Sequence, residues 1–174
     1  MDKSNKNHLS NTDLIFFQIE RNQLKIIQDL AVSIWPITFK NILTKDQIDY
    51  MLNWMYSIEK LTSCFEKGDN FYLLQIQNKC VGYVHVEMIN PEKIKIQKIY
   101  LLPNFHGIGL GKFMLNQVVL VYRKLNFHLI ELQVNRSNPA VEFYLNYGFK
   151  ISDSTDFDIG HGFFMNDFIM HFEI

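Results

Sequence analysis

The chain has 174 residues, 48% of them hydrophobic and 20% charged, with a formal net charge of −1. That length suits one domain with a substantial core. The composition is globular rather than disordered, and the near-neutral charge gives no reason to expect nucleic-acid binding. No apolar run approaches the ~20 residues of a membrane span. The polar opening MDKSNKNHLSNTD lacks the apolar stretch of a secretory signal, so residues 1–12 are expected to be a flexible tail ahead of a single domain. Cys64 and Cys80 are too few for a disulfide framework, which points to a reducing, cytoplasmic setting.

Leu14 to Ile19 reads as a first strand. Asn22 to Trp35 carries Leu24, Ile27, Leu30, Ala31 and Ile34 at helical spacing, and Pro36 is expected to end that helix, since a residue before proline avoids the α region. Thr44 and Gln47 make a capping-box pattern that opens a second helix, with Ile48, Met51, Leu52 and Met55 on one face. A third helical stretch runs from Ser57 to near Gly68. The period then changes. Phe71 to Gln77, Val81 to Ile89 and Ile94 to Leu102 read as a meander of strands, with turns at Asn78-Lys79 and Asn90-Pro91. Pro103 ends the last of them, because proline cannot donate to a sheet ladder. A loop with glycine at alternate positions (Gly107, Gly109, Gly111) leads into a helix from Gly109 to Leu125 with an apolar face. Leu129 to Val134 is a strand. Asn138 as N-cap and Pro139 at the first position open a short helix that ends before Gly148. Phe149 to Phe157 and Met165 to Phe172 close the chain as strands around Gly160-His161-Gly162. This order fits one mixed α+β sheet layer.

The glycine loop sits where a strand hands over to a helix. Glycine lets a backbone approach a ligand closely, and a helix N-terminus offers unpaired N–H groups. Together they suit a phosphate. A P-loop requires glycine where His106 stands and Ser or Thr where Phe113 stands, so that pattern fails twice. The dinucleotide fingerprint fails too. Its last glycine would fall on Lys112, although Glu131 lies about 20 residues on, as a ribose-binding acid would.

His106-Gly107-Ile108-Gly109-Leu110-Gly111 instead resembles the acyl-CoA loop of the GNAT N-acetyltransferases, with His in place of the usual Gln or Arg. Asn135 to Phe149, with Asn138, Ala140, Phe143, Tyr144 and Gly148 in place, resembles the second motif of that family. The two occur in the family's order, over Phe71 to Phe172. The stretch from Asp158 to Asp167 further resembles a bacterial subgroup that includes polyamine acetyltransferases. The resemblance implies the GNAT fold: a central, mostly antiparallel, twisted sheet of about seven strands flanked by helices. It places the acyl-CoA loop between strand 4 and the next helix.

The resemblance also implies acetyl-CoA as acyl donor, no metal, and transfer to a primary amine by direct attack in a ternary complex. A small molecule or polyamine is favoured as acceptor, with no nucleic-acid or membrane partner, and a homodimer stays open. Ile99, Tyr100 and Leu101 match strand residues that pair with the pantetheine arm. His106, Gly107, Ile108, Gly109, Leu110, Gly111 and Lys112 match the pyrophosphate loop, and Asn138 a residue near the arm. Tyr144 matches a tyrosine that contacts the cofactor and gives a proton to the leaving thiolate. For His106 itself, a side-chain role and binding by backbone N–H alone stand even.

Some members carry a catalytic Glu in the strand before the loop; Ile94 to Leu102 has no carboxylate. Glu87, which shares a strand face with His85, is the candidate base, acting directly or through water. Asp153, Asp156 and Asp158 are candidates to attract a cationic amine, against the plainer reading of a solvated face. His161, His171, Asp158 and Asp167 match no metal-ligand spacing. Two alternatives stay open: an enzyme acting on protein lysines or N-termini, and a catalytically weak CoA-binding regulatory module.

Overall fold

The computed structural model describes residues 14–174, so the expected tail lies outside the described residues. In chain order the elements are β1 (Leu14–Gln18), α1 (Leu24–Thr38), α2 (Lys45–Tyr56), α3 (Ile58–Glu66), β2 (Asn70–Ile76), β3 (Lys79–Met88), β4 (Lys93–Leu101), α4 (Leu110–Lys124), β5 (Leu129–Asn135), α5 (Ala140–Tyr147), β6 (Lys150–Gly160) and β7 (Phe163–Glu173). The strands form one sheet in the order β1-β2-β3-β4-β5-β7-β6. Only β4 and β5 pair in parallel; the other neighbours are antiparallel.

The parallel pair is short. Its register runs from Lys93↔Leu129 to Ile96↔Leu132 and stops, although β4 continues to Leu101 and β5 to Asn135. A bulge sits where the pairing ends. His85 faces Lys98 and Val86 faces Ile96, which leaves Gln97 as the extra residue of β4. A bulge bends a strand and raises its twist. The two strands therefore part, and their backbone groups face a gap between them.

Each face of the sheet carries its own core. Ile94, Ile96, Met114, Val118, Ile130 and Tyr144 are buried on the side of α4 and α5. Ile27, Trp35, Tyr56, Leu61, Phe71 and Tyr83 are buried on the side of α1 to α3. Each fully buried side chain of this size stabilises the fold by roughly 1.5–3 kcal/mol, so both helical layers are fixed against the sheet.

Two local expectations are corrected. Pro36 does not end α1, which runs to Thr38. Proline removes only the bond to the carbonyl of Val32, an exposed residue whose carbonyl can turn to water, and the last turn closes through Phe39 N–H to Trp35 O at 2.9 Å. The capping box is half made. Thr44 Oγ1 accepts from Gln47 N–H at 3.2 Å, but the Gln47 amide reaches across to donate to Phe164 O on β7 at 2.8 Å. Tyr50 O–H donates to Ile159 O at 2.6 Å. These two bonds tie α2 to the β6–β7 hairpin.

Candidate active site

A cavity of about 740 Å³ runs through the parted strands, and its wall includes residues from α1, α2, β4, α4, β5, α5 and β7. At one end lies the glycine loop. Gly107 and Gly109 have φ of +77° and +87°, a region that L side chains rarely adopt, and open space surrounds the position a Cβ would take at each. Gly111 has an ordinary backbone; a Cβ there would meet only Phe143 at 3.5 Å. Gly109 is the N-cap of α4, so the N–H groups of the first turn after it have no acceptor within the helix. Lys112 stands on the same wall. A cradle of free N–H groups, open space and a lysine fits a pyrophosphate. His106 Nε2–H donates to Leu101 O at 2.9 Å, which anchors the loop to the end of β4.

Ile99, Tyr100, Leu101, His106, Gly107, Gly109, Gly111, Lys112, Asn138 and Tyr144 all line this cavity. Ile108 and Leu110 do not: Ile108 points to solvent and Leu110 is buried in the core beside α4. Asn138 Oδ1 accepts from Ala140 N–H at 2.9 Å and so caps α5, the helix that presents Tyr144. Tyr144 is 7% exposed, packs against Phe143 and Phe149, and its hydroxyl has no hydrogen-bond partner among the described residues. Burial holds its phenol well above the usual tyrosine range, so it stays protonated at any working pH.

Glu87 is not part of the cavity wall. Its carboxylate accepts from the Gln97 amide at 2.5 Å, and Gln97 is the residue that meets the cavity. His85 is buried behind the wall. Its Nε2–H donates to Asp69 Oδ2 at 2.7 Å and its Nδ1 accepts from Lys98 Nζ at 3.2 Å, which fixes one neutral tautomer. Burial, against the pull of Asp69, lowers its pKa to about 4. Cys64 lies with Asp69 and His85 in a group whose ligand-type atoms fall within 4.8 Å of one another, with the Lys98 amine against the same histidine.

The three aspartates of β6 are occupied locally. Asp156 pairs with Arg136, Asp158 accepts from Gly160 N–H at 2.8 Å, and Asp153 accepts from Ser154 N–H at 2.7 Å. None of them lines the cavity. His161 packs at a tilt against the Tyr50 ring and His171 faces Glu131, so among the described residues these histidines do not meet Asp158 or Asp167 as one group.

Asp167 is the residue that spacing alone left without a role. It is 3% exposed and is the cavity's one carboxylate among the described residues. Burial pushes its carboxyl up to about 6, against the pull of Arg136 and Lys95. The signal was present in the alternation of β7, which puts Asp167, Ile169 and His171 on one face. What the sequence could not show is that this face borders the gap between β4 and β5.

This combination of parted parallel strands, glycine-capped helix and inward tyrosine defines an acyl-CoA-binding class of fold. The chain belongs to the GNAT acetyltransferase family: the model of the acetyltransferase (GNAT) domain matches residues 40–164. An uncharacterised N-acetyltransferase of Methanocaldococcus jannaschii is 32% identical over 151 residues, covering 71% of this chain and 66% of its own length. A spermidine N(1)-acetyltransferase of Thermoplasma acidophilum is 24% identical over 141 residues, covering 78% and 87%. The chain spans 59% of the length of an uncharacterised Mycobacterium tuberculosis N-acetyltransferase that it matches at 30% identity over 93 residues. Among solved structures, the PaiA N-acetyltransferase of Thermoplasma acidophilum in complex with coenzyme A shares the fold. Its TM-score is 0.78 at 23% identity, over 92% of this chain and 99% of that one.

Proposed function

We propose that this chain transfers the acetyl group of acetyl-CoA to the primary amine of a small molecule, by direct attack with both substrates bound. One observation carries the reading. A single cavity joins a pyrophosphate cradle, the exposed backbone of β4, the hydroxyl of the buried residue Tyr144 and the carboxylate of the buried residue Asp167. In the reaction the amine nitrogen forms a bond to the thioester carbonyl carbon, and the carbon–sulfur bond breaks.

The chain's own groups meet the two proton demands of that exchange. A thiolate of pKa near 8.5 leaves more readily beside a proton donor. Tyr144 O–H is the donor on the wall, and it is fully protonated there. The attacking amine must shed a proton, and Asp167 takes it. A carboxyl with a pKa of about 6 is ionised at neutral pH and is a stronger base than an ordinary aspartate. Glu87 reaches the cavity only through Gln97, which places it behind Asp167 as a candidate.

The acceptor end is covered by Trp35, Phe39 and Leu43 with Met51 and Met55, an apolar cover from α1, α2 and the turn between them. Such a cover suits a small molecule better than a protein chain, which would need an open groove. The name of the Thermoplasma relative supports a polyamine as one member of that class.

The test is release of free thiol from acetyl-CoA across a panel of amines. Amine-dependent release, with the acetylated amine found by mass spectrometry, is the expected result. Tight acetyl-CoA binding with no release for any amine would favour the regulatory-module alternative instead.

A further inference from the structure

Behind the cavity wall lies a second group of reactive side chains that acetyl transfer does not use. Cys64, Asp69 and His85 each place one ligand-type atom within 4.8 Å of the other two, and none of the three lines the acyl cavity. They come from separate parts of the fold: the end of α3, the turn that follows it, and β3.

Local structure builds the placement. The turn after α3 passes through Gly68 at φ +97°, which brings Asp69 back over the helix end, where its N–H donates to Cys64 O at 3.2 Å. His85 reaches the same spot from the sheet. Its ring stacks on Phe71, directly opposite on β2, with centroids 4.1 Å apart and planes at 15°. His85 is 2% exposed, so the imidazole has little room to turn.

A hydrogen-bonded pair needs only two of these residues. His85 Nε2 and Asp69 Oδ2 are 2.7 Å apart, and Cys64, a free thiol, takes no part in that bond. No lysine or arginine pairs with Asp69 among the described residues; its one ion-pair partner is the histidine. Thiolate sulfur, imidazole nitrogen and carboxylate oxygen are the donor types of zinc. At bond lengths of about 2.0–2.3 Å, tetrahedral ligands stand roughly 3.3–3.7 Å from one another. The three atoms here bracket that spacing, with one pair at 2.7 Å and none beyond 4.8 Å. Cys64 and Asp69 are less buried than His85, so their side chains have the freedom to close the difference.

Lys98 does not block an ion. Its amine lies 3.2 Å from Nδ1, the ring nitrogen away from Asp69. A metal-bound histidine carries its proton on the outer nitrogen and gives it to an acceptor. The ion displaces the Nε2 proton, the Lys98 ammonium passes one proton to Nδ1, and the resulting amine accepts from that N–H. With the proton lost by the Cys64 thiol, two protons leave for each ion bound.

We propose that Cys64, Asp69 and His85 bind one divalent ion of the zinc class, with water in the fourth position, and that the ion fastens the end of α3 to the sheet. The site stands apart from the acetyl-transfer reading and does not depend on it.

The experiment titrates Zn²⁺ by calorimetry into reduced, chelator-treated protein, with wild type, Cys64→Ala and Asp69→Asn each shown to be folded by circular dichroism. One ion per chain is expected. Cys64→Ala should weaken binding by at least about 100-fold. Asp69→Asn, which keeps an acceptor for His85 but loses the charge, should weaken it by at least about tenfold. Since the ion binds only the folded state, the wild-type Tm should rise by roughly 5–10 °C at free Zn²⁺ a hundredfold above Kd, and Cys64→Ala should lose that rise. Co²⁺ in place of Zn²⁺ should give wild type, and not Cys64→Ala, the near-ultraviolet charge-transfer band of a thiolate–metal bond. Wild-type binding no stronger than that of Cys64→Ala, or a cobalt complex without the thiolate band, overturns the proposal.

Discussion

Asn135, the last residue of β5, stands directly opposite Asp167 on β7, at a level where β5 has already lost its pairing with β4. The parting of two strands thus exposes a carboxylate held by a third. Asp167 is fixed by a continuous antiparallel ladder while the space beside it is open. A rigid carboxylate at the edge of a cleft is well placed for proton transfer.

Asp167→Asn removes the proposed base and keeps the shape. In wild type kcat/KM is expected to rise through about pH 6 and then level off, as Asp167 ionises. In the variant it is expected to keep climbing toward the amine's own pKa, because only the neutral amine reacts. Superimposable profiles would return the base role to Glu87 or to water.

The same substitution has a stability signature of defined sign. Asp167 binds its proton more tightly folded than unfolded, since its pKa is raised to about 6 from an ordinary value near 4. Its contribution to stability therefore falls as pH rises from about 4 to 6, and the penalty is fully present at pH 7. Asp167→Asn is expected to raise the Tm at pH 7 more than at pH 4, as measured by thermal melts. An equal change at both values would mean that the carboxylate is not desolvated.

Tyr144→Phe keeps the ring against Phe143 and Phe149 and deletes only the hydroxyl. Loss of the proposed general acid is expected to lower kcat by about 10²-fold, with acetyl-CoA affinity nearly unchanged. Wild-type kcat in a variant whose chemical step is shown to be rate-limiting would remove Tyr144 from the mechanism.

The glycines of the loop are expected to separate by backbone geometry. Gly109→Val forces a branched side chain into φ near +87° and fills the open space over the helix N-terminus. A strain of about 1–2 kcal/mol predicts a loss of acetyl-CoA affinity of roughly 5- to 30-fold in calorimetry. Gly111→Ala meets only ordinary contact with Phe143 and is expected to bind within about twofold of wild type. Equal losses at the two positions would contradict the geometry.

The sequence made the elements of the cradle readable because they rest on local rules. Proline ends β4 at a fixed point, alternating glycines precede an amphipathic helix, and Asn138 caps the helix that carries Tyr144. Pro36 misled because a last-turn proline next to exposed backbone loses little. Gln47 misled because a tertiary acceptor on β7 competed with the local one. The carboxylate on the cavity wall was hidden for a different reason. Glu87 and His85 do share a face with the site, but the bulge at Gln97 and the pairing of β5 with β7 decide which carboxylate meets the cavity. Neither is encoded in any short window of residues.

The most direct measurement supplies acetyl-CoA carrying an isotopically labelled acetyl group together with the free amine and follows the label by mass spectrometry and NMR. The label is expected to appear in an amide bond on the amine, with one thiol released for each amide formed. Tyr144→Phe and Asp167→Asn should each slow both events equally. Thiol released without labelled amide, or label found only on hydroxyl or thiol acceptors, would contradict the amine assignment.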